Sequence, residues 1–174
     1  MYHVYARGNR KALIFRDTLD YETYVAMLGR SVNQRRWRCL SYCLMPNHVH
    51  LLIELMEPNL GAGMHQLHGA YARLFNARHG EVGHVFQSRY GAVRITDDAQ
   101  LVTTVGYIAA NPVVAGLCGS ADGWRWSSHR ATIAARPAGF LDRDRLFACL
   151  AAWGGDGRER YAELVDGRVP ARAA

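Results

Sequence analysis

The fold is decided by residues 37–55, WRCLSYCLMPNHVHLLIEL, in which two mostly apolar segments flank a short turn. Residues 37–45 and 48–55 each have the length and the apolar content that are typical of strands. Pro46 and Asn47, which separate them, are turn-forming residues. A link this short joins two strands only as an antiparallel hairpin. The sequence therefore predicts a β-hairpin over these residues.

The segments on either side of the hairpin predict two further strands and two helices. Residues 2–7 (YHVYAR) and 89–95 (RYGAVRI) have the composition of strands. Asp17 or Thr18 is placed to cap a helix ahead of the hairpin, and a second helix is predicted over residues 62–79. The apolar residues of both helices repeat with the helical period: Tyr21, Tyr24, Val25, Leu28 and Val32 in the first, and Met64, Leu67, Tyr71, Leu74 and Phe75 in the second.

The predicted order is strand, helix, strand, strand, helix, strand, which is the ferredoxin-like or RRM-like pattern of an α+β fold. It predicts one antiparallel sheet with both helices on a single face, and leaves the other face free for a ligand or for chemistry. Residues 97–111 then predict a further helix. Asp97 and Asp98 suit its N-terminus, and Pro112 is expected to limit its other end. A tail with two weak helical segments follows.

The charge of the chain favours a nucleic-acid partner. The formal net charge is +6, the isoelectric point is about 9.4, and Lys11 is the only lysine among the 21 basic residues. Arginine binds phosphate through a planar, bidentate fork, so an arginine-rich balance suits nucleic acid. A GC-rich genome, which favours arginine codons, is the alternative explanation.

The cysteines and the hydropathy predict a cytoplasmic protein. The four cysteines form no Cys-x-x-Cys pair, so we expect free thiols in a reducing compartment. No apolar stretch approaches the roughly 20 residues that a membrane-spanning helix needs. Residues 1–11 contain no hydrophobic segment of the signal-peptide type. We therefore expect no membrane partner.

Two histidines one residue apart are the first candidate site. Alternate residues of a strand point to the same face, so His48 and His50 are expected to project together. Val49, Leu51 and Ile53 then point to the opposite face and pack under the helices. Two imidazoles at this spacing can chelate a divalent cation if a third ligand comes from elsewhere. The alternative is a pair of partly exposed histidines that are hydrogen-bonded to their neighbours.

The helix over residues 97–111 presents a second candidate. Tyr107 and Asn111 lie one turn apart on the side of the helix opposite Val105. A tyrosine with a carboxamide at i+4 is able to present a nucleophile beside a metal ligand. The alternative is a surface tyrosine and an asparagine that ends the helix. Val105 lies at the centre of the apolar face of this helix, which also contains Leu101, Val102, Ile108 and Ala109.

Five motifs, taken together, resemble those of the REP-associated tyrosine transposases. They are YHVYARGNRK with LIF after Ala12, MPNHVHLL, GHVFQSRY, YIAANPVVAGL and WRWSS, in that order. This family belongs to the HUH superfamily of single-tyrosine transposases, named for the His-hydrophobic-His motif. The resemblance covers roughly residues 2–130 and implies the same ferredoxin-like order. It implies a catalytic domain over residues 1–118 with a helical extension, residues 119–174, packed on that domain.

The resemblance also implies a reaction and its residues. In such enzymes a tyrosine hydroxyl attacks a phosphodiester of single-stranded DNA, which leaves a 5′-phosphotyrosine link and a free 3′-hydroxyl. Tyr90 and Tyr107 are the candidates. In this family the nucleophilic tyrosine lies on a helix just before an Asn-Pro pair, which selects Tyr107. The implied metal ligands are His48, His50 and Asn111. Mg²⁺ or Mn²⁺ fits phosphate chemistry with these donors, and Zn²⁺ stays open.

The expected partner is single-stranded or hairpin DNA. Basic residues are candidates for binding phosphates, and Trp126 is a candidate for stacking on unpaired bases. The alternatives are solvated surface charge for each basic residue and anchoring of the tail for Trp126. The candidate DNA-contacting residues are Arg7, Arg10, Lys11, Arg89 and Trp126. Trp124 is a further stacking candidate. Relatives usually carry a longer leader before the first strand, which here begins at residue 2.

The leading hypothesis is a metal-dependent, single-strand DNA endonuclease and strand transferase that acts on hairpin-forming palindromic repeats. A binding module of the same fold without catalytic activity is the alternative. A phosphodiesterase that uses water as the nucleophile is a third hypothesis. Insertion-sequence relatives are dimers and repeat-associated ones work as monomers, so the resemblance leaves a monomer or a homodimer.

Overall fold

The computed structural model describes residues 1–134, 139–152 and 154–168, so parts of the predicted extension over 119–174 lie outside the described residues. Its sheet has four antiparallel strands in the order β2-β3-β1-β4. The α+β, ferredoxin-like prediction is confirmed. The strands are β1 (Tyr2–Arg7), β2 (Trp37–Met45), β3 (His48–Leu55) and β4 (Gly91–Arg94).

Six α-helices occur in the described part of the chain. α1 and α2 belong to the ferredoxin-like unit, and α3 is the predicted tyrosine-bearing helix. Two 3-10 turns, Asn9–Lys11 and Ala121–Gly123, connect other elements. The helices are α1 (Thr18–Arg35), α2 (Leu60–His79), α3 (Asp98–Val114), α4 (His129–Ile133), α5 (Arg143–Ala151) and α6 (Gly157–Asp166).

The first face of the sheet is covered by α1 and α2, as predicted. Val49, Leu51 and Ile53 are fully buried in the core cluster that these helices complete. Asp17 caps α1, and its carboxylate accepts a hydrogen bond from the backbone N–H of Asp20. The prediction that the buried stripe of α2 includes Leu74 is wrong: Leu74 lies at the edge of that stripe and is exposed.

The second face of the sheet is half covered, which corrects the prediction of a free face. α3 packs over β2 and β3, α5 packs over β2, and α6 packs on α3 and α5, so that the three helices complete a second core there. The helices pack there because Leu40, Cys43 and Leu52 point to this face, and burial of their apolar side chains is favourable. The surface above β1 and β4 is left open. The candidate site lies at the boundary between the covered and open parts.

The boundaries of two predicted elements differ from the structure. Pro112 lies inside α3, which continues to Val114, so the prediction that Pro112 limits the helix is wrong. Proline in the last turn of a helix removes a single backbone hydrogen bond, and the carbonyl of Pro112 accepts one from the N–H of Leu117. β4 is shorter than predicted, because pairing with β1 is confined to Gly91–Arg94.

The WRWSS stretch covers the outer edge of β2. The carbonyl of Trp126 accepts a hydrogen bond from the N–H of Leu44 at 2.9 Å, and the Ser128 hydroxyl accepts one from the N–H of Tyr42 at 3.0 Å. The Trp124 indole N–H donates to the carbonyl of Leu44 at 3.0 Å. An uncovered edge strand is a template for pairing with other chains. This motif therefore has a structural function that its sequence did not reveal.

The tail is tied to the sheet by an ion pair and by a buried hydrogen bond. Arg145 of α5 donates two hydrogen bonds to the Glu54 carboxylate of β3, at 2.9 and 2.7 Å. The hydroxyl of Tyr161 on α6 lies 3.0 Å from Nδ1 of His129, and both residues are buried. The domain boundary itself stays a prediction.

Replacing Leu146 with alanine is expected to lower the free energy of unfolding by about 2–5 kcal/mol, because Leu146 is fully buried in the second core. Urea unfolding followed by circular dichroism and by tryptophan fluorescence measures this change. Leu74→Ala, at an exposed position, is the control and should cost less than about 0.5 kcal/mol. Two separate transitions, of which only one moves, would contradict the packing of tail and sheet as one unit.

The described part of the chain contains no disulfide. All four cysteines are free, and Cys39 and Cys43 are buried. Among the described helices, none combines the length and the apolar character needed to cross a membrane.

Candidate active site

An open cleft of about 510 Å³ lies on the second face of the sheet, beside α3. Strand alternation places His48 and His50 on this face, opposite the buried Val49 and Leu51, as predicted. β1 contributes its own alternate side chains to the same face. The cleft is lined by His3, Tyr5, Arg7, His48, His50 and Tyr107.

Packing of α3 brings Tyr107 to the histidines. Val105 and Ile108 of α3 are fully buried in the second core, which holds the helix against the sheet. Tyr107, on another side of the helix, projects toward the cleft and is 42% exposed. Its hydroxyl lies 3.5 Å from Nε2 of His50, and the two rings meet edge to face. The nucleophile candidate and one ligand candidate are therefore neighbours within one chain.

Asn111 reaches the second histidine. It lies one turn after Tyr107 and is buried, and its side chain is close enough to His48 to raise the pKa of that imidazole. His48 Nδ1 lies 2.7 Å from the side-chain oxygen of Asn47. Because that oxygen only accepts, Nδ1 donates to it and the lone pair of His48 is on Nε2. Burial lowers the pKa of His48, the nearby Arg7 charge lowers it further, and the Asn111 hydrogen bond opposes both.

His50 is the most buried ligand candidate, and it has a partner, His3, that the sequence motifs did not indicate. Burial, with smaller effects from His48, His3 and Arg7, lowers the pKa of His50 to about 3. The imidazole is therefore neutral at physiological pH, which is the form that binds metal. Nε2 of His3 lies 3.0 Å from Nδ1 of His50.

The signal that would have found His3 is the alternation of β1. Val4 and Ala6 are buried on the first face, so His3, Tyr5 and Arg7 must point to the second. That pattern is visible in the sequence. The register that sets Tyr5 opposite His50 is not, because it depends on pairing between strands more than 40 residues apart.

The donor set fits a divalent cation. Each histidine has its Nδ1 engaged, by Asn47 or by His3, which is how ligand histidines are commonly held, and Nε2 of His50 faces Tyr107 of α3. The described part of the chain contains no metal-binding group made of three His, Cys, Asp or Glu side chains. The Asn111 carboxamide is the third ligand that the motifs imply, and its role stays a prediction. Oxygen and imidazole donors together suit Mg²⁺ or Mn²⁺.

The four basic residues predicted to contact DNA are spread over three places. Arg7 lines the cleft. Arg10 and Lys11 are exposed in a turn with left-handed backbone (φ 52° and 62°), which packs on the Asn47 turn next to the cleft. In the described part of the chain, none of these three residues forms an ion pair. Arg89 lines a separate groove of about 910 Å³ beside α2.

Trp126 is not brought to the cleft. Its ring stacks on Tyr21 at 4.5 Å with an angle of 8° between the planes, and the Arg125 guanidinium lies 4.3 Å from its centre. Tyr21 belongs to α1, so this stack lies on the first face of the sheet. The ring helps to anchor the tail, which is the alternative that the sequence left open. A contact with DNA stays a prediction.

Comparison with known proteins identifies the family. The model of the family described as "Transposase IS200 like" matches residues 1–111. The chain therefore belongs to the IS200-like transposase family, and the class predicted from the motifs is confirmed. No curated protein matches the chain significantly.

Among solved structures, the chain is similar to a REP-associated tyrosine transposase bound to a REP hairpin. The sequences are 20% identical, the match covers 90% of this chain and 86% of that chain, and the TM-score is 0.59. At this identity the likeness establishes a shared fold.

Proposed function

We propose that this chain is a metal-dependent endonuclease and strand transferase for single-stranded DNA, with Tyr107 as its nucleophile. The observation that carries the proposal is the Tyr107 hydroxyl 3.5 Å from Nε2 of His50, with the His48–Asn111 pair beside it. A surface tyrosine without a catalytic role has no need of a buried histidine at its hydroxyl, beside a second histidine that is itself held in place. The 42% exposure of Tyr107 leaves room for a DNA strand.

The reaction is a transesterification. The Tyr107 oxygen forms a bond to phosphorus while the bond from phosphorus to the 3′-oxygen breaks. The phenolic proton is released, and the 3′-oxygen takes up a proton. The products are a 5′-phosphotyrosine and a 3′-hydroxyl. Because the phosphoester bond is kept, a second 3′-hydroxyl is able to attack the phosphotyrosine, which joins strands instead of hydrolysing them.

The residues of the cleft have separate roles in this reaction. His48, His50 and Asn111 hold a divalent ion, which supplies positive charge to the phosphate oxygens when it is bound. His3 and Asn47 keep the ligand histidines oriented through their Nδ1 atoms. Arg7 is the cation of the cleft, and it is placed to bind a phosphate.

Hairpin DNA is the proposed substrate, and two observations support it. The similar structure holds a REP hairpin. Arg10 and Lys11 extend the positive charge of Arg7 away from the cleft, as a bound duplex stem next to the cleaved strand requires. One chain contains both the histidines and the tyrosine at contact distance, which supports action as a monomer.

The test is a labelled hairpin oligonucleotide with single-stranded flanks, incubated with the purified chain and Mn²⁺. We expect a protein–DNA adduct that resists denaturing electrophoresis. A label at the 3′ end should stay with the protein and a label at the 5′ end should be released, because the link is to the 5′-phosphate. EDTA should abolish the adduct.

Two other results would replace the proposal. Cleavage without an adduct would identify water as the nucleophile and make the protein a phosphodiesterase. Saturable binding of the hairpin without cleavage under Mg²⁺, Mn²⁺ or Zn²⁺ would make it a binding module.

A further inference from the structure

We propose that Tyr5 is a stacking platform for one of the two nucleobases that flank the cleaved phosphodiester. The inference rests on the proposed function and assigns a base-binding site beside the metal ligands. The ligand is an unpaired base of the DNA strand, bound through the face of its ring.

The position of Tyr5 in the sheet puts it next to the reacting groups. Tyr5 is paired directly opposite His50 in the β1–β3 ladder, and its side chain points to the same face. The centre of its ring lies 6.3 Å from that of His50 and 5.6 Å from that of His3. A base stacked on Tyr5 therefore belongs to a nucleotide next to the phosphate that Tyr107 attacks.

The ring of Tyr5 has a place prepared for it on the edge strand. A Cβ atom at Gly91 of β4 would lie 2.2 Å from Cζ and 2.6 Å from the hydroxyl oxygen of Tyr5. Those distances are far inside van der Waals contact, so the ring keeps this position only because residue 91 has no side chain. The ring thus rests on the backbone of β4 and is held by the sheet.

The rest of the ring is available for binding. Tyr5 is 42% exposed, and within the described residues its hydroxyl has no hydrogen-bond partner. Trp126 and Phe86, by contrast, are already stacked, on Tyr21 and on His68. A large aromatic side chain left open on the wall of a cationic cleft suits an unpaired base, because every base offers a face that stacks on an aromatic ring.

Arg7 completes the argument for a nucleotide. It lies two residues after Tyr5 on the same strand and face, about 7 Å farther along. A guanidinium for a phosphate and a ring for a base then follow each other along β1. This alternation matches the alternation of phosphate and base along a single strand.

The experiment combines a protein change with a DNA change. The Tyr107→Phe background prevents cleavage, and fluorescence anisotropy measures the affinity for the labelled hairpin. An abasic residue is then placed at each position of the single-stranded flanks in turn. Tyr5→Leu is expected to weaken binding of the intact DNA between about five-fold and about a hundred-fold. At one abasic position, next to the bond that the wild-type chain cleaves, Tyr5→Leu should lower the affinity by less than about two-fold, because the base that stacks on Tyr5 is already missing.

Further variants separate stacking from damage to the fold. Tyr5→Phe keeps the ring and should retain most of the affinity, and Gly91→Ala should displace the ring and reproduce the loss. Leu74→Ala, at an exposed position on α2, should leave binding unchanged. Thermal unfolding of each variant checks that the sheet is intact.

The proposal is overturned if Tyr5→Leu costs the same at every abasic position, or if the coupled position does not adjoin the cleaved bond. Failure of the proposed function looks different: the wild-type chain would form no adduct, while the abasic scan would still show whether Tyr5 binds a base.

Discussion

Replacing Tyr107 with phenylalanine is expected to reduce formation of the covalent DNA adduct by about 10⁴-fold or more, which is the usual consequence of removing a nucleophile. The change deletes one hydroxyl oxygen and keeps the ring that meets His50 edge to face. The helix and the cleft should therefore be preserved, and hairpin affinity should stay within about two-fold of that of the wild type. Denaturing electrophoresis with 3′-labelled DNA measures the adduct.

Tyr90→Phe is the matched control for this experiment. Tyr90 is the second tyrosine that the motifs allowed as nucleophile, and it lies at the separate groove beside α2, close to Gly61. Its substitution should leave the rate of adduct formation unchanged. If the adduct persists in Tyr107→Phe and is lost in Tyr90→Phe, the nucleophile is Tyr90 and the reaction takes place in the groove beside α2.

His48→Ala is expected to lower the affinity for Mn²⁺ by about 100-fold or more, since loss of a direct ligand exceeds the usual effect of losing an orienting partner. Cleavage should fall with it and return only in part at high Mn²⁺ concentration. Isothermal titration of the metal-free chain measures the affinity without depending on activity. His65→Ala, an exposed histidine on α2, is the control.

The outcome separates the two explanations of the histidine pair. If His48 only hydrogen-bonds to Asn47 and Asn111, its removal should change stability and leave Mn²⁺ binding as it was. Unchanged metal affinity together with unchanged cleavage would therefore remove the metal site from the proposal while leaving the tyrosine to be judged separately.

The sequence by itself determined the order of the elements and the sidedness of β3. The hairpin, the caps of α1 and α3 and the two helices of the first face all arise from contacts between near neighbours. Strand alternation likewise placed His48 and His50 away from the buried Val49 and Leu51. These features are local, so a period of two or of 3.6 residues is enough to reveal them.

Contacts between segments that are distant in the chain were not predictable from the sequence. Leu40, Cys43 and Leu52 looked like ordinary strand residues, yet they recruit α3, α5 and α6 to the face that was predicted to be free. For Trp126 the sequence left two roles open, stacking on DNA bases or anchoring of the tail, and it did not indicate that the ring stacks on Tyr21 of α1. Nothing within either segment indicates its partner.

Tertiary structure alone decided the composition of the site. His3 and His50 are 47 residues apart in the chain and 3.0 Å apart in space, and Tyr107 meets His50 across 57 residues. The alternation within a strand predicts which side chains share a face of the sheet, and the period within a helix predicts which side chains share a side of the helix. The register of β1 on β3 brings His3 to His50, and the second core holds α3, with Tyr107, against the sheet. Both depend on the burial of apolar surface that is shared by segments far apart in the sequence, so neither is visible in a local pattern.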